Sequence, residues 1–345
     1  MPLLDTTFTR AAGIELPIVC GAMYPCSNPE LVAAASEAGG IGIVQPLSLV
    51  YVHGYEHRAG LRRIRELTRK PIGLNVIVEK SSKVYEDRMK RYVDEAIEEG
   101  VRFFVTSLGN PRWVCEKAHA VGGLVYHDVT SRKWAEKALE SGIDGLIGVN
   151  SQAGGHAGDL GPLRLYEELA PLGLPVLCAG GVGDEQAFVA AMRMGYAGVQ
   201  MGTRFIATTE CTAHDDYRNA VCKATPEDIV LTERLTGVPV AVIRTPYLDR
   251  LGTKAGPLAR WLLKGRKTKH WMRMFYSLQS FWKLKRSLHR SYSSKDFLQA
   301  GRSVAGISRV ESTAAILARF RAAALAAEAP EAAAKAGAKP AGHGS

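Results

Sequence analysis

Residues 146–203 carry the pattern that decides the fold, and they read LIGVNSQAGGHAGDLGPLRLYEELAPLGLPVLCAGGVGDEQAFVAAMRMGYAGVQMGT. Three short apolar runs lie in this stretch, at 146–149, 176–179 and 198–201, and a polar or glycine-rich turn follows each of them. Apolar runs of this length, separated by helix-length segments, are typical of strands in a parallel sheet that is buried on both faces.

The same pattern extends upstream, where five more strand-like runs lie at 17–20, 41–44, 72–76, 103–106 and 124–127. The segments between the runs begin at capping residues such as Asp184 and end at glycines such as Gly100 and Gly195. Eight strands that alternate with helices predict an α/β fold, a closed (β/α)8 TIM barrel. The alternative, an open doubly wound sheet, often carries GxGxxG after its first strand, whereas this chain reads GAMYP at 21–25.

The alternation stops after the eighth run, which indicates an insertion. We expect the barrel to comprise residues 1–207 and 299–327, with 208–298 inserted as a basic lid or substrate subdomain. Residues 328–345 are rich in Ala, Pro, Gly and Lys, a composition that predicts a disordered tail. The net charge of +10 comes from residues 250–295, which hold 13 of the 44 Lys and Arg and no acidic residue.

Part of this basic segment has the pattern of an amphipathic helix. Trp271, Phe275, Leu278 and Trp282 recur at helical spacing within 269–290. One interpretation is a lid helix that packs its aromatic side chains over the barrel mouth. The alternatives are contact of 260–295 with a membrane surface of anionic lipid or with an acidic acyl carrier. Nothing beyond charge indicates nucleic-acid binding.

Other features of the chain predict a cytoplasmic protein. No run of about 18 apolar residues could span a membrane, and the first ten residues lack the pattern of a signal peptide. The six cysteines show no spacing suited to a metal, so we expect no metal site and interpret the cysteines as buried thiols.

Two neighbouring loops have the composition of a phosphate site. Gly180 and Gly181 follow the seventh strand, and Gly202 and Thr203 follow the eighth. Barrels of this type often bind phosphate after these two strands, because glycine lets backbone N–H groups approach the oxygens. The alternative is that these glycines only form tight turns.

Polar side chains near the ends of other strands are candidates for chemistry. His156 lies among small residues after the sixth strand, which suits a group that meets a substrate near neutral pH. His127 and Asp128 end the fifth strand, and we expect both to point into the mouth, as catalytic groups or as a polar pair at the rim. Asn75 is an amide inside an apolar run and needs a partner if it is buried.

Together these motifs resemble the nitronate monooxygenase family, formerly called 2-nitropropane dioxygenases. The resemblance covers roughly residues 13–207 and, more weakly, 299–307. The matching segments are GAM at 21–23, GLN at 73–75, AGGH at 153–156, AGGV at 179–182 and QMGT at 200–203.

The resemblance implies a barrel that binds FMN. It implies a phosphate site at Gly180, Gly181, Gly202 and Thr203, and a catalytic base at His156. The remaining cofactor-binding candidates are Gly21, Ala22, Met23, Asn75, His127, Asp128, Gly154, Gly155, Ala179, Gln200 and Met201.

The family reaction oxidises an alkyl nitronate with O2, through electron transfer to FMN, to a carbonyl compound and nitrite. Two departures concern the substrate pocket: Val149 stands where many members carry Gln, and Asp128 stands where a quinone-reducing branch carries Lys. The alternatives are therefore an NAD(P)H-dependent flavin reductase of quinones or enoyl thioesters, and a flavin-free phosphate-binding barrel that acts as a lyase or isomerase.

Overall fold

A computed structural model of the protein describes residues 2–79, 83–235, 237–254 and 297–337, with side chains as far as residue 329. Eight parallel strands form a closed barrel in chain order, and pairing of the eighth strand with the first closes it. These strands are β1 (Ile18–Cys20), β2 (Ile41–Val44), β3 (Ile72–Ile77), β4 (Phe103–Ser107), β5 (Leu124–Val129), β6 (Gly145–Val149), β7 (Val176–Ala179) and β8 (Gly198–Met201). The predicted TIM barrel is therefore confirmed.

Helices surround the barrel and connect its strands. They are α1 (Thr7–Ala12), α2 (Pro29–Glu37), α3 (Pro46–Tyr51), α4 (His57–Leu67), α5 (Lys83–Glu98), α6 (Arg112–His119), α7 (Arg132–Leu139), α8 (Pro162–Leu169), α9 (Glu185–Arg193) and α10 (Thr203–Ile206). Several helix–strand connections use a glycine with positive φ, such as Gly100 at 81° and Gly195 at 106°, as the sequence predicts. Within the described ranges, no helix is long and apolar enough to cross a membrane.

The interior of the barrel is filled with apolar side chains at its N-terminal end. Phe8 from α1 packs against the rings of Phe103 and Tyr126, with ring centroids 5.7 and 5.4 Å away. A Cβ on Gly145 would lie 2.1 Å from the Tyr126 ring, so a glycine on β6 is what makes space for this large side chain. Because this end is closed, a ligand has to enter at the C-terminal end of the strands.

The described part of the insertion after α10 comprises α11 (Asp215–Lys223), the antiparallel pair β9 (Ile229–Thr232) and β10 (Val240–Ile243), and α12 (Pro246–Leu251). The amphipathic pattern of 269–290 lies outside the described residues. The assignment of 208–298 as a lid therefore stays a prediction.

The last helix, α13 (Thr313–Gly337), packs against α9 and α2. It thus occupies the position of the barrel helix that would normally follow β8, and its Phe320 ring lies 5.4 Å from the Phe188 ring. The helix continues to Gly337 and so includes the first ten residues of the segment for which the sequence predicts disorder. The segment is rich in alanine, which gives it the simple composition that suggested disorder. Alanine also has the highest helix propensity of all residues.

Candidate active site

Neighbouring residues on a barrel strand point to opposite faces, and this decides which candidates face the mouth. Tyr126 belongs to the packed interior, so Asp128, two residues further along β5, also points inward. Gln200 points inward from β8 by the same alternation, because Val199 packs on the outer side. Asp128 Oδ1 and Gln200 Oε1 are both buried without a partner in the described structure.

The same alternation corrects the prediction for His127. Its side chain points to the outer face of the barrel, where Nδ1 lies 2.8 Å from Thr106 Oγ1 on β4. Burial lowers the pKa of His127 to about 4, so the ring is neutral at physiological pH. His127 is therefore a polar residue between strands and helices, and it does not share the mouth with Asp128.

The first and third strands bring further predicted residues to the interior. Gly21 donates its N–H to the Met201 carbonyl at 2.9 Å, and a Cβ on Gly21 would lie 2.9 Å from Gln200 Cγ. Ala22 packs against the interior cluster. Asn75 is buried, and its Nδ2 donates to the Val105 carbonyl at 3.4 Å, which supplies the partner that the sequence called for.

The loop after β7 has a backbone that only glycine adopts readily. Gly180 and Gly181 have φ values of 115° and 85°. A Cβ on Gly180 would lie 2.6 Å from both the Ala153 nitrogen and Asn150 Oδ1. The buried Asn150 joins the two loops, since its Nδ2 donates to the Gly180 carbonyl at 3.0 Å and its Oδ1 accepts from the Gln152 N–H at 2.8 Å. The loop after β7 and the AGGH loop therefore form one packed unit.

The loop after β8 leaves space beside its glycine. Gly202 has φ of −108°, which any residue adopts, and of the described residues only Met23 would meet a Cβ there, with Cγ at 3.4 Å and Sδ at 3.5 Å. The described part of the fold therefore does not require glycine at this position. Thr203 Oγ1 accepts from the Gly301 N–H at 2.9 Å, so the hydroxyl can donate its own hydrogen to a bound anion.

His156 lies in a loop that is held from both sides. The Gly155 carbonyl accepts from the Ala241 N–H of β10 at 2.8 Å. A Cβ on Gly154 would lie 2.9 Å from the Gly301 nitrogen. The His156 side chain is exposed in the mouth, yet the surrounding protein removes enough water from the imidazole to lower its pKa. A neutral imidazole with access to the mouth can act as a base.

Residues 299–306 pack over the two loops, a role that their weak resemblance to the family did not specify. Arg302 donates its N–H to the Gln152 carbonyl at 2.9 Å, and a Cβ on Gly183 would lie 2.0 Å from the Ser303 carbonyl oxygen. The segment thus covers both the AGGH loop and the loop after β7. The glycines of this segment could have indicated close packing, but the residues that they pack against lie far upstream in the chain.

Comparisons with known proteins agree with this architecture. The family model described as nitronate monooxygenase matches residues 5–319. A probable nitronate monooxygenase from Staphylococcus saprophyticus is 28% identical over 291 residues, with 72% of this chain and 81% of that protein covered.

A second relative carries a different name. The (3aS,4S,5R,7aS)-5-hydroxy-7a-methyl-1-oxo-octahydro-1H-indene-4-carboxyl-CoA dehydrogenase of Rhodococcus jostii is 30% identical over 252 residues, with 73% of this chain and 69% of that protein covered.

Among solved structures, FabK from Thermotoga maritima superposes with a TM-score of 0.78 at 26% identity, covering 95% of this chain and 99% of FabK. The barrel, the glycine loops and the AGGH segment thus coincide with a family match over nearly the whole chain. The chain is an oxidoreductase that belongs to the nitronate monooxygenase family.

Proposed function

We propose that the protein is an FMN-dependent oxidoreductase of the nitronate monooxygenase type, which oxidises alkyl nitronates with O2 to carbonyl compounds and nitrite. The observation that carries the proposal is the packing of the AGGH loop against the glycine loop after β7, together with the room for a Cβ at Gly202 in the loop after β8. A ligand whose phosphate is bound there would extend past the loop that bears His156.

The residues present fit FMN. Gly180, Gly181, Gly202 and Thr203 would hold the phosphate through backbone N–H groups and the Thr203 hydroxyl. Two buried acceptor oxygens, Asp128 Oδ1 and Gln200 Oε1, lie in the barrel interior below the mouth. When bound, FMN would supply the electron acceptor and the reactivity toward O2.

His156 is the proposed base. Its lowered pKa keeps the imidazole neutral near pH 7, so it can take the acidic α-proton of a neutral nitroalkane. The two flanking contacts, Ala241 N–H to the Gly155 carbonyl and Gly154 against Gly301, would fix the loop while the proton moves. Val149, which is apolar and lies near the interior cluster, would present an apolar wall to a small alkyl group.

A second candidate is oxidation or reduction of an acyl thioester. It is favoured by the 30% identity to a carboxyl-CoA dehydrogenase and by the basic residues 250–295, whose charge suits an anionic carrier. The same base could serve, because a thioester also acidifies its α-carbon. NAD(P)H-dependent reduction of an enoyl thioester is the reverse direction of this candidate, and NAD(P)H-dependent reduction of a quinone is the other reaction of such a flavin reductase.

One experiment separates these functions. The purified protein, supplemented with FMN, is mixed anaerobically with an alkyl nitronate, with NADH or NADPH, and with a saturated acyl-CoA in separate samples. Bleaching of the flavin band by nitronate alone supports the leading proposal. Bleaching by acyl-CoA or by NAD(P)H replaces it with the second candidate. Failure to bind FMN at all would overturn both and leave the phosphate-binding barrel without a flavin.

A further inference from the structure

The side chain of Asn150, at the end of β6, is hydrogen-bonded to both loops of the candidate site. It is fully buried. Its Oδ1 accepts from the Gln152 N–H at 2.8 Å, in an Asx turn that shapes the start of the loop that bears His156. Its Nδ2 donates to the Gly180 carbonyl at 3.0 Å, in the loop after β7. One amide group thus uses its acceptor for one loop and a donor for the other.

The contact between Asn150 and the loop after β7 is close. A Cβ on Gly180 would lie 2.6 Å from Asn150 Oδ1, so the amide lies directly against the glycine backbone. Nδ2 also donates to Cys178 Sγ at 3.5 Å, and the Asn150 backbone N–H donates to the Ala179 carbonyl at 3.0 Å. Asn150 therefore joins β6 to β7 through its main chain and its side chain, at the point where both strands end.

The loop that bears His156 is closed at its base. The Ser151 N–H donates to the Leu160 carbonyl at 2.8 Å. A Cβ on Gly158 would lie 2.5 Å from the Val149 carbonyl oxygen, so the chain returns to the end of β6. Because the loop is closed in this way, a small rotation at its base displaces His156, which lies in the middle of the loop.

We propose that Asn150 is a positioning residue, which holds the base His156 in a fixed place relative to the phosphate loop at Gly180 and Gly181. The Asx turn sets the local path of the chain, and the bond from Nδ2 to the Gly180 carbonyl sets the distance between the two loops. The effect on turnover rests on the proposed function, whereas the effect on the place of His156 does not.

Two substitutions separate the two bonds of the amide. Asn150→Ala removes both. Asn150→Ser keeps a hydroxyl that can accept from the Gln152 N–H in the same kind of turn. The serine Oγ stands one atom closer to the main chain than Nδ2, so the bond to the Gly180 carbonyl is lost. If Asn150→Ala does not fold, Asn150→Ser still isolates the bond between the loops.

Asn28→Ala is the matched control. Asn28 is also a buried asparagine that joins two segments through one backbone N–H and one backbone carbonyl. Its Nδ2 donates to the Glu210 carbonyl at 3.0 Å, and its Oδ1 accepts from the Thr212 N–H at 3.3 Å. Because these partners belong to neither loop, the control reports a general loss of stability from removal of a buried amide.

The first measurement is an NMR titration of the His156 imidazole in the ligand-free, full-length protein with isotope-labelled histidine, in which His156→Asn identifies the signal. Burial lowers the pKa of His156 in the wild type. Both Asn150 variants should move this pKa back toward the ordinary value of about 6.5, because the displaced ring gains water. Asn28→Ala should leave it unchanged although the melting temperature falls. An unchanged pKa in Asn150→Ser, or an equal change in Asn28→Ala, would overturn the proposal.

The second measurement is turnover of an alkyl nitronate at saturating FMN. Displacement of a catalytic group by about 1 Å can cost about 100-fold in rate, so kcat of Asn150→Ser should fall about 10–100-fold, while Asn28→Ala should stay within about twofold of the wild type. A loss confined to FMN affinity, with kcat unchanged, would refute the link to the base. If the wild type binds no FMN and does not turn over nitronate, the proposed function fails, and the His156 titration still decides whether Asn150 positions the ring.

Discussion

Replacement of Gly202 by alanine tests whether glycine at this position is required for folding or for binding of a ligand. The new Cβ would meet Met23 at 3.4–3.5 Å, which is ordinary contact, and φ of −108° suits alanine. The ligand-free protein should therefore keep its stability, or gain slightly because alanine restricts the unfolded chain. The methyl group would, however, occupy the space through which a phosphate reaches the backbone. Loss of one hydrogen bond to a charged group costs about 1.5–3 kcal/mol, so FMN affinity should fall roughly 10–100-fold.

The assay is titration of the ligand-free protein with FMN, followed by quenching of flavin fluorescence, with thermal unfolding measured in parallel. Gly161→Ala serves as the control, because Gly161 has φ of −65° and a Cβ there would have open space around it. Unchanged FMN affinity in Gly202→Ala would refute the assignment of this loop to the phosphate. A large loss of stability without FMN would show that glycine is needed by the fold instead.

Four further predictions follow from the site. His156→Asn should bind FMN within about twofold of the wild type and lose on the order of 100–10,000-fold in turnover. Because burial lowers the pKa of His156, the wild-type rate should rise with pH over a more acidic range than for an ordinary imidazole and be level near pH 7. The residual activity of the variant should lack this rise in a pH–rate profile. Gly301→Ala would place a Cβ 2.5 Å from the Gly154 nitrogen, so we expect a lower melting temperature and weaker FMN binding together; loss of neither would contradict the packing. Gly180→Ala should unfold more readily even without FMN, by about 1–3 kcal/mol in denaturant titration, because its φ of 115° is strained for alanine. Burial raises the pKa of Asp128 from 3.8 to about 7, so the folded state holds the proton more tightly. Wild-type stability should accordingly fall as pH rises from about 4 to 7, by at most about 4 kcal/mol, and Asp128→Asn should lack this component of the pH dependence in urea titrations.

The strands and the glycine-rich turn after β7 could be predicted because their signals are local. An apolar run that ends in Gly180 and Gly181, followed by the cap Asp184, specifies strand, turn and helix within a short window. The direction of His127 could not be predicted in this way. In a parallel barrel both faces of a strand are buried, so an apolar run does not say which of two neighbours points inward.

The partners of the AGGH loop could not be found from the sequence for a different reason. Gly155 is paired with Ala241, and Gly154 lies against Gly301, across an insertion of unrelated pattern. Contacts at such separation leave no periodicity in the chain. The same holds for α13, whose position beside α2 and α9 depends on the closed barrel and not on its own composition.

The hydrogen bond from the Gly301 N–H to Thr203 Oγ1 has a consequence for the order in which the protein folds during synthesis on the ribosome. All eight strands have been synthesised by Met201, yet the covering segment 299–306 and the helix beside β8 follow only after the whole insertion has been synthesised. A nascent chain that stops before residue 299 would have a complete sheet but an uncovered AGGH loop and an uncovered flank at α2 and α9. If the proposed function holds, such a chain would retain FMN less well than the chain that includes the covering segment.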